Sequence, residues 1–183
     1  MKVYILQVHT GYEHQTARRA RQLAREHLHD NCRIIVHSLE RELRIKSRGR
    51  HQIMHKPLYP GYIFIESDCS KETLLNIVRS IQTAVRFLQS NSDITPLLEH
   101  EEKNLRHLMH YGPTIPRSKV ELRPNERIRI IEGPLQGLEG VIERVDKRRE
   151  RVRIRLEMSN KPFRFDVGIE IVQPQESDPK ESA

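Results

Sequence analysis

The chain has 183 residues, of which 36% are hydrophobic and 31% are charged, and its formal net charge is +7. This length accommodates one mid-sized domain or two small ones, and Leu, Ile and Val recur too regularly for a wholly disordered protein. No apolar run approaches the roughly 20 residues of a membrane-spanning helix, and the basic excess is typical of a polyanion-binding protein or simply of a basic soluble surface.

The two cysteines, Cys32 and Cys69, are distant in sequence and form no CxxC motif. So low a cysteine content predicts no disulfide framework and indicates a reducing compartment. The first ten residues contain no apolar signal-peptide segment, so a cytoplasmic protein without membrane contact is expected.

The first 110 residues show the periodicities of alternating strands and helices. In chain order, the predicted elements are a strand at 3–8, a helix at 13–28, a strand and a long polar hairpin at 33–56 with its turn at 47–50, a strand at 61–66, a helix capped by Ser70, a strand at 84–88 and a helix after Pro96. The order β-α-β-β-α-β-α predicts an α+β sandwich in which helices flank one sheet.

The pattern changes after residue 110. Residues 111–121 have no periodicity and contain one Gly and two Pro, so we interpret them as a linker between a domain at 1–110 and a domain at 122–173. Strand-like segments then follow at 127–131, 138–145, 152–158, 163–166 and 170–172. Five short strands in about 50 residues predict a small barrel that closes its own edges, and the polar residues 174–183 predict a disordered tail.

Two segments carry a resemblance to a known family. The segment 57–65 reads Pro-Leu-Tyr-Pro-Gly-Tyr-Ile-Phe-Ile, and the segment 127–141 reads Arg-Ile-Arg-Ile-Ile-Glu-Gly-Pro-Leu-Gln-Gly-Leu-Glu-Gly-Val. The first resembles the strand signature of the N-terminal (NGN) domain of the NusG family of transcription elongation factors, and the second resembles a KOW motif. The resemblance implies an NGN-like α/β sandwich followed by a small five-stranded, SH3-like KOW β-barrel.

Three glycines mark the KOW-like segment. Gly133 and Gly137 are expected to provide the backbone freedom of a tight loop. Gly140 is expected to let a strand bend or lie close to its neighbour.

The resemblance implies a non-enzymatic transcription factor whose N-terminal domain binds the clamp helices of RNA polymerase through an apolar pocket. Aromatic side chains suit such a pocket because they give a large contact area at low entropy cost. The implied pocket residues are Val3, Ile5, Tyr59, Tyr62, Ile63 and Phe87. Many family members carry Trp where this chain has Val3, so the pocket is expected to differ in detail. The alternative for these residues is ordinary sheet core.

Residues 41–50, running into 56–62, are similar to specialised family members of the LoaP type, which act as processive antiterminators. That likeness implies a KOW domain that contacts nascent RNA in the form of a hairpin. The candidate RNA-binding residues are Arg144, Lys147, Arg148, Arg149, Arg151, Arg153, Lys161 and Arg164. Guanidinium groups make bidentate phosphate contacts and stack on bases. Acidic residues interleave with these cations, so a solvated, internally paired strand is the alternative.

Other functions stay open. The barrel of a general family member would bind a ribosomal protein or a termination factor, and a ribosome-associated KOW protein would bind ribosomal RNA. The chain has no HExxH, no phosphate-binding Gly loop followed by Lys and no GxSxG motif, so we predict no catalytic residue and no cofactor. The nearest metal-like pattern, His27-x-His29-x2-Cys32, lacks a second ligand pair, so no metal site is predicted. A monomer is expected.

Overall fold

The computed structural model describes residues 1–27, 32–81, 86–88, 94–122 and 128–173. Its first part contains six strands and three helices, in the predicted order. They are β1 (Lys2–Gln7), α1 (Glu13–His27), β2 (Ile34–His37), β3 (Glu40–Ser47), β4 (Arg50–Pro57), β5 (Tyr62–Ser67), α2 (Lys71–Arg79), β6 (Arg86–Phe87) and α3 (Glu99–His110). None of the helices in these ranges has the length and apolar character needed to cross a membrane.

Strands β2, β5, β1 and β6 form one antiparallel sheet in that order. Because side chains alternate along a strand, β1 places Val3 and Ile5 on one face of the sheet and Tyr4 and Leu6 on the other. Helices α1 and α2 cover the face that contains Tyr4. The face that contains Val3 packs against α3 and the C-terminal half of the chain.

Cys32 and Cys69 form a disulfide, with their Cα atoms 5.0 Å apart, so the prediction of no disulfide framework missed this bond. Cys32 lies two residues before β2 and Cys69 two residues after β5. The pairing of Ile34 with Ser67 therefore brings both cysteines to the same end of the sheet. Strand register is a tertiary property that cysteine spacing does not reveal. The cysteine content consequently gives no argument for a reducing compartment.

The predicted polar hairpin is confirmed. Strands β3 and β4 pair in antiparallel register from Glu40 with Pro57 to Ser47 with Arg50. Arg48 and Gly49 form the turn, and both have positive φ values, 48° and 81°. Glycine adopts such values freely. The hairpin extends beyond the four-stranded sheet and forms a second, three-stranded sheet with a short later strand.

The second part of the chain contains a short strand of the hairpin sheet and the KOW-like barrel. The elements of this part are β7 (Thr114–Ile115), β8 (Ser118–Leu122), β9 (Ile128–Glu132), a 3₁₀ turn (Glu139–Val141), β10 (Ile142–Asp146), β11 (Arg151–Met158) and β12 (Lys161–Val172). Strand β7 pairs with β3 in the hairpin sheet. The other five form a sheet of order β10-β11-β12-β8-β9, which curls around buried residues of β8, β11 and β12. The fold class predicted from the sequence is thereby confirmed.

Several strand boundaries in the barrel differ from the prediction. The strand predicted at 138–145 begins only at Ile142, because a 3₁₀ turn comes first. The two strands predicted at 163–166 and 170–172 are one continuous strand, β12. Residues 111–121, interpreted as a linker, contain β7 and most of β8. Pairing with β3 and β12 orders these residues, and such long-range pairing leaves no trace in local composition. The predicted tail at 174–183 lies outside the described residues.

The three KOW-like glycines have different roles. Gly133 has a φ of +104°, and a Cβ atom there would lie 2.9 Å from the Cα of Ser118. Gly137 also has a positive φ, +80°, as expected for a tight loop. Gly140 belongs to the 3₁₀ turn, and a Cβ atom there would meet open space. The expectation that Gly140 permits a strand bend or a close approach is therefore wrong.

We expect Gly133→Ala to lower the free energy of unfolding of the full chain by at least about 1–2 kcal/mol, because an L-residue is disfavoured in the left-handed region and the new Cβ would press on Ser118. Gly140→Ala is the matched control and should change it by less than about 0.5 kcal/mol. Urea denaturation followed by circular dichroism measures both values. Equal stabilities of the two variants would contradict the tight-loop role of Gly133.

Candidate functional site

An aromatic cluster joins the N-terminal sheet to the barrel. Tyr59, which precedes β5, is only 3% exposed. Its ring centroid lies 5.0 Å from that of Phe64 in the same domain, and 4.4 Å from Phe165 and 6.3 Å from Phe163 on strand β12. Tyr62 is half-buried and lies 5.2 Å from Phe163. The barrel therefore covers this face of the sheet with two aromatic side chains.

The two halves of the chain share one hydrophobic core. It extends from Val3 and Ile5 on the sheet, through Leu105 on α3, to Ile154 and Val167 in the barrel. Each half thus depends on the other to exclude water from part of its apolar surface.

Four of the six residues predicted for the polymerase pocket lie in this shared core or directly against it: Val3, Ile5, Tyr59 and Tyr62. The remaining two, Ile63 and Phe87, belong to the core on the opposite face, under α1 and α2. The six residues therefore do not form one pocket. The reason is the two-residue period of a strand, which sends Tyr62 and Ile63 to opposite faces.

Sequence reasoning missed three aromatic members of the cluster: Phe64, Phe163 and Phe165. The alternation of Phe163 and Phe165 around Arg164 indicates that both rings share one face of their strand. No local pattern indicates that this face packs on Tyr59, because that contact joins residues about a hundred positions apart.

A buried guanidinium supports the same interface. Nη1 of Arg41 donates hydrogen bonds to the carbonyl oxygens of Asp166 (2.6 Å) and Leu58 (3.4 Å). Burial lowers the pKa of Arg41, and the Asp166 carboxylate opposes that shift. Burial also raises the pKa of Tyr59 well above its ordinary value. The Tyr59 hydroxyl and Nε of Arg41 find no hydrogen-bond partner among the described residues, and each such group costs about 1–3 kcal/mol.

Glu150 links three parts of the chain. Its carboxylate, 16% exposed, accepts hydrogen bonds from Arg44 on the β3–β4 hairpin and from Arg117 between β7 and β8. Nε of Arg117 also donates to the carbonyl oxygen of Ile169 on β12, at 3.0 Å. These charge-assisted contacts hold the barrel turn against the hairpin.

The main chains of the two halves approach closely at one glycine. A Cβ atom at Gly168 on β12 would collide with the carbonyl oxygen of Glu42 on β3 and would lie 2.9 Å from Cγ of Arg117. Only a residue without a side chain permits this approach.

A basic cavity lies at the end of the barrel where β10 turns into β11. Its volume is about 510 Å³, and its lining residues are Arg144, Asp146, Arg148, Arg149, Arg151, Arg153 and Asp166. Five of the eight predicted RNA-binding residues are thus brought together. The other three, Lys147, Lys161 and Arg164, do not line it.

Some of the arginines predicted to bind RNA are instead paired with acidic residues of the barrel. Arg153 lies 2.8 Å from Asp166, whose hydrogen bond and charge raise the pKa of Arg153. Arg164 pairs with Glu143 at 3.1 Å, and Arg155 pairs with Glu157. By contrast, Arg144 and Arg148 are exposed and form no ion pair with any residue that the structure describes.

Comparisons with known proteins agree with this architecture. The family model described as "Transcription termination factor nusG" matches residues 1–106, and the KOW motif model matches residues 124–155. The transcription termination/antitermination protein NusG of Helicobacter pylori (strain J99 / ATCC 700824) is 25% identical, over 96% of this chain and 97% of its own. The protein of that name from Neisseria meningitidis serogroup B is 26% identical, over 86% and 88%.

A solved structure also resembles the chain. It is titled "Domain interaction in Thermotoga maritima NusG", matches with a TM-score of 0.52 at 20% identity, and covers 91% of this chain and 93% of its own. The likeness extends through both the sheet and the barrel, which supports the fold described above.

We expect Gly168→Ala to separate the barrel from the N-terminal sheet, because the added methyl group would press on the Glu42 carbonyl while remaining compatible with the backbone of β12. Nuclear Overhauser contacts between the rings of Tyr59 and Phe165 should weaken or disappear, and the radius of gyration from X-ray scattering should rise. Gly140→Ala is the control and should leave both unchanged. Unaltered Tyr59–Phe165 contacts in Gly168→Ala would contradict the close approach.

Proposed function

The chain belongs to the NusG family, and we propose that it is a transcription elongation factor that binds RNA polymerase through the sheet face containing Tyr59 and Tyr62. The observation that carries this proposal is the aromatic cluster at that face. The barrel buries this face in the structure, and an apolar face of this kind, once uncovered, is typical of a protein-binding site. Neither matching family model describes an enzyme.

The occupant that we propose for this face is the pair of clamp helices of the polymerase. Apolar residues on a partner helix bind in a groove lined by aromatic and aliphatic side chains. Val3, Ile5, Tyr59 and Tyr62 supply such a lining from neighbouring strands. Ile63 and Phe87 support the sheet from behind and have no direct part in the proposed contact.

Polymerase binding through this face requires the barrel to leave it, because Phe163 and Phe165 occupy the same surface. The apparent dissociation constant then equals the intrinsic constant divided by the fraction of open molecules. The unpaired Tyr59 hydroxyl and Arg41 Nε reduce the stability of the closed arrangement, which favours a separable interface over a permanent one.

We further propose that the barrel contacts nascent RNA and that the factor promotes processive antitermination, as the LoaP-like sequence features imply. The exposed Arg144 and Arg148 support RNA over a protein partner for this end of the barrel, because guanidiniums that form no ion pair within the described part of the chain can bind phosphate. A general factor would instead use the barrel to bind a ribosomal protein or a termination factor. We propose that the protein acts in the cytoplasm, where RNA polymerase is found, and that it acts as a monomer.

Two substitutions on opposite sides of the cluster should change polymerase affinity in opposite directions. Tyr62→Ala removes part of the proposed docking face, and we expect about a tenfold or larger loss of affinity, typical of an interface aromatic. Phe163→Ala removes barrel contacts only, so it should raise the open fraction and tighten polymerase binding by up to about tenfold. Biolayer interferometry with immobilised polymerase core enzyme measures both.

Tyr12→Ala is the matched control, since Tyr12 is a tyrosine of the same domain that is 50% exposed and lies outside the cluster. It should bind polymerase as the unaltered chain does. A loss of affinity in Phe163→Ala equal to that in Tyr62→Ala would contradict the docking face, since it would indicate that polymerase binds the closed form.

A further inference from the structure

We propose that the β3–β4 hairpin and the β10–β11 turn together form a groove for the phosphate backbone of RNA, and that this groove is complete only while the barrel is packed on the N-terminal domain. This proposal rests on the proposed RNA contact of the barrel and takes RNA as the ligand from it. It differs in placing half of the binding surface on the N-terminal domain.

A second basic cavity carries the argument. Its volume is about 470 Å³, and its lining residues come from both halves of the chain: Arg44, Ile45, Lys46 and His51 from the hairpin, and Arg148, Arg149 and Arg151 from the barrel. The three barrel arginines also line the first cavity. The two cavities thus share three lining arginines and lie next to each other at the domain interface.

The charge of this groove is strongly unbalanced. Seven lysine and arginine side chains line the two cavities, and the acidic residues among the lining are only Asp146 and Asp166. Both acids are already engaged, Asp146 by Arg149 at 3.9 Å and Asp166 by Arg153 at 2.8 Å. Lys46 and Arg148 lack an ion-pair partner in the described part of the chain. Like charges held this close repel one another, and a polyanion relieves that repulsion while releasing its own counterions.

The arrangement of the cations suits a phosphate backbone. Lys46 and His51 are register partners on the hairpin, so their side chains project on one face toward the barrel arginines that line the same cavity. Arginine offers a planar fork that matches two phosphate oxygens, and lysine offers a point charge. Exposed cations on two walls can contact phosphates on both sides of a narrow element, as duplex RNA is recognised by shape and backbone.

The groove depends on the closed arrangement. Glu150 holds Arg44 near the barrel turn, and the absence of a side chain at Gly168 lets β12 approach β3. RNA bound across both walls therefore stabilises the packed form, whereas polymerase docking requires the open form. Linkage then makes the two ligands oppose each other by the same factor in each direction. RNA bound across both walls is thus a contact of the closed, free factor, whereas in the open, polymerase-bound factor only the barrel wall remains to contact nascent RNA.

The test uses the full chain and a fluorescein-labelled RNA hairpin, with binding followed by fluorescence anisotropy at several salt concentrations and without polymerase. Lys46→Ala should reduce the salt slope by about one. One lost phosphate contact corresponds to about an eightfold loss of affinity at 0.1 M salt. Lys56→Ala is the matched control, because Lys56 is an exposed lysine of the same hairpin that lines neither cavity. It should bind RNA as the unaltered chain does.

Gly168→Ala provides a second variant whose altered residue lines neither cavity. It should weaken RNA binding by separating the two walls, and addition of RNA should weaken polymerase binding by the unaltered chain. If Arg148→Ala weakens RNA binding while Lys46→Ala and Gly168→Ala do not, the barrel alone binds RNA. The composite groove is then wrong although the proposed function stands. Absence of RNA binding by the unaltered chain would overturn both the groove and the proposed RNA contact of the barrel, while the proposed polymerase docking would stand. Equal affinity for a DNA hairpin of the same sequence would overturn RNA as the occupant.

Discussion

The contact between Tyr59 and the two phenylalanines of β12 determines how the rest of the molecule is arranged. It buries an aromatic face of the N-terminal sheet under the barrel, and each large aromatic buried in this way contributes a few kcal/mol of hydrophobic free energy. The shared core, the Glu150 ion pairs and the basic groove all lie where the same two halves of the chain meet. The same contact covers the surface that the proposed function assigns to polymerase.

Some of the buried polar groups at this interface form hydrogen bonds across it, and others have no partner. Arg41 reaches the backbone of β12, and Glu150 accepts from two arginines. Yet the Tyr59 hydroxyl is buried without a partner among the described residues. A permanent core satisfies nearly all of its buried polar groups. An interface that leaves such groups unpaired has lost part of its stability, which favours its separation by a competing partner.

Closed and open arrangements would therefore offer different surfaces to different partners. The closed form presents one basic groove built from the hairpin and the barrel turn, and the open form would present the apolar sheet face. Since one chain cannot present both at once, an RNA ligand and polymerase would act on the same equilibrium from opposite sides. Gly168 and Glu150 line neither the groove nor the apolar sheet face. Both nevertheless contribute to the equilibrium between the closed and open arrangements.

The local pattern of the sequence was sufficient for the order of the elements, the hairpin turn at 47–50, the alternation of β11 and the family, because period, turn residues and motifs are properties of neighbouring residues. The family resemblance singled out Tyr59 and Tyr62, which both contact Phe163 in the aromatic cluster, and their role in polymerase binding stays a prediction. Only the tertiary structure decided that Ile63 lies on the opposite face, that Cys32 pairs with Cys69, that residues 111–121 contain paired strands, and that barrel and hairpin cations share a groove. Each of these depends on strand register or on packing between distant segments, and the burial and pairing of distant residues are set by the whole fold rather than by local composition.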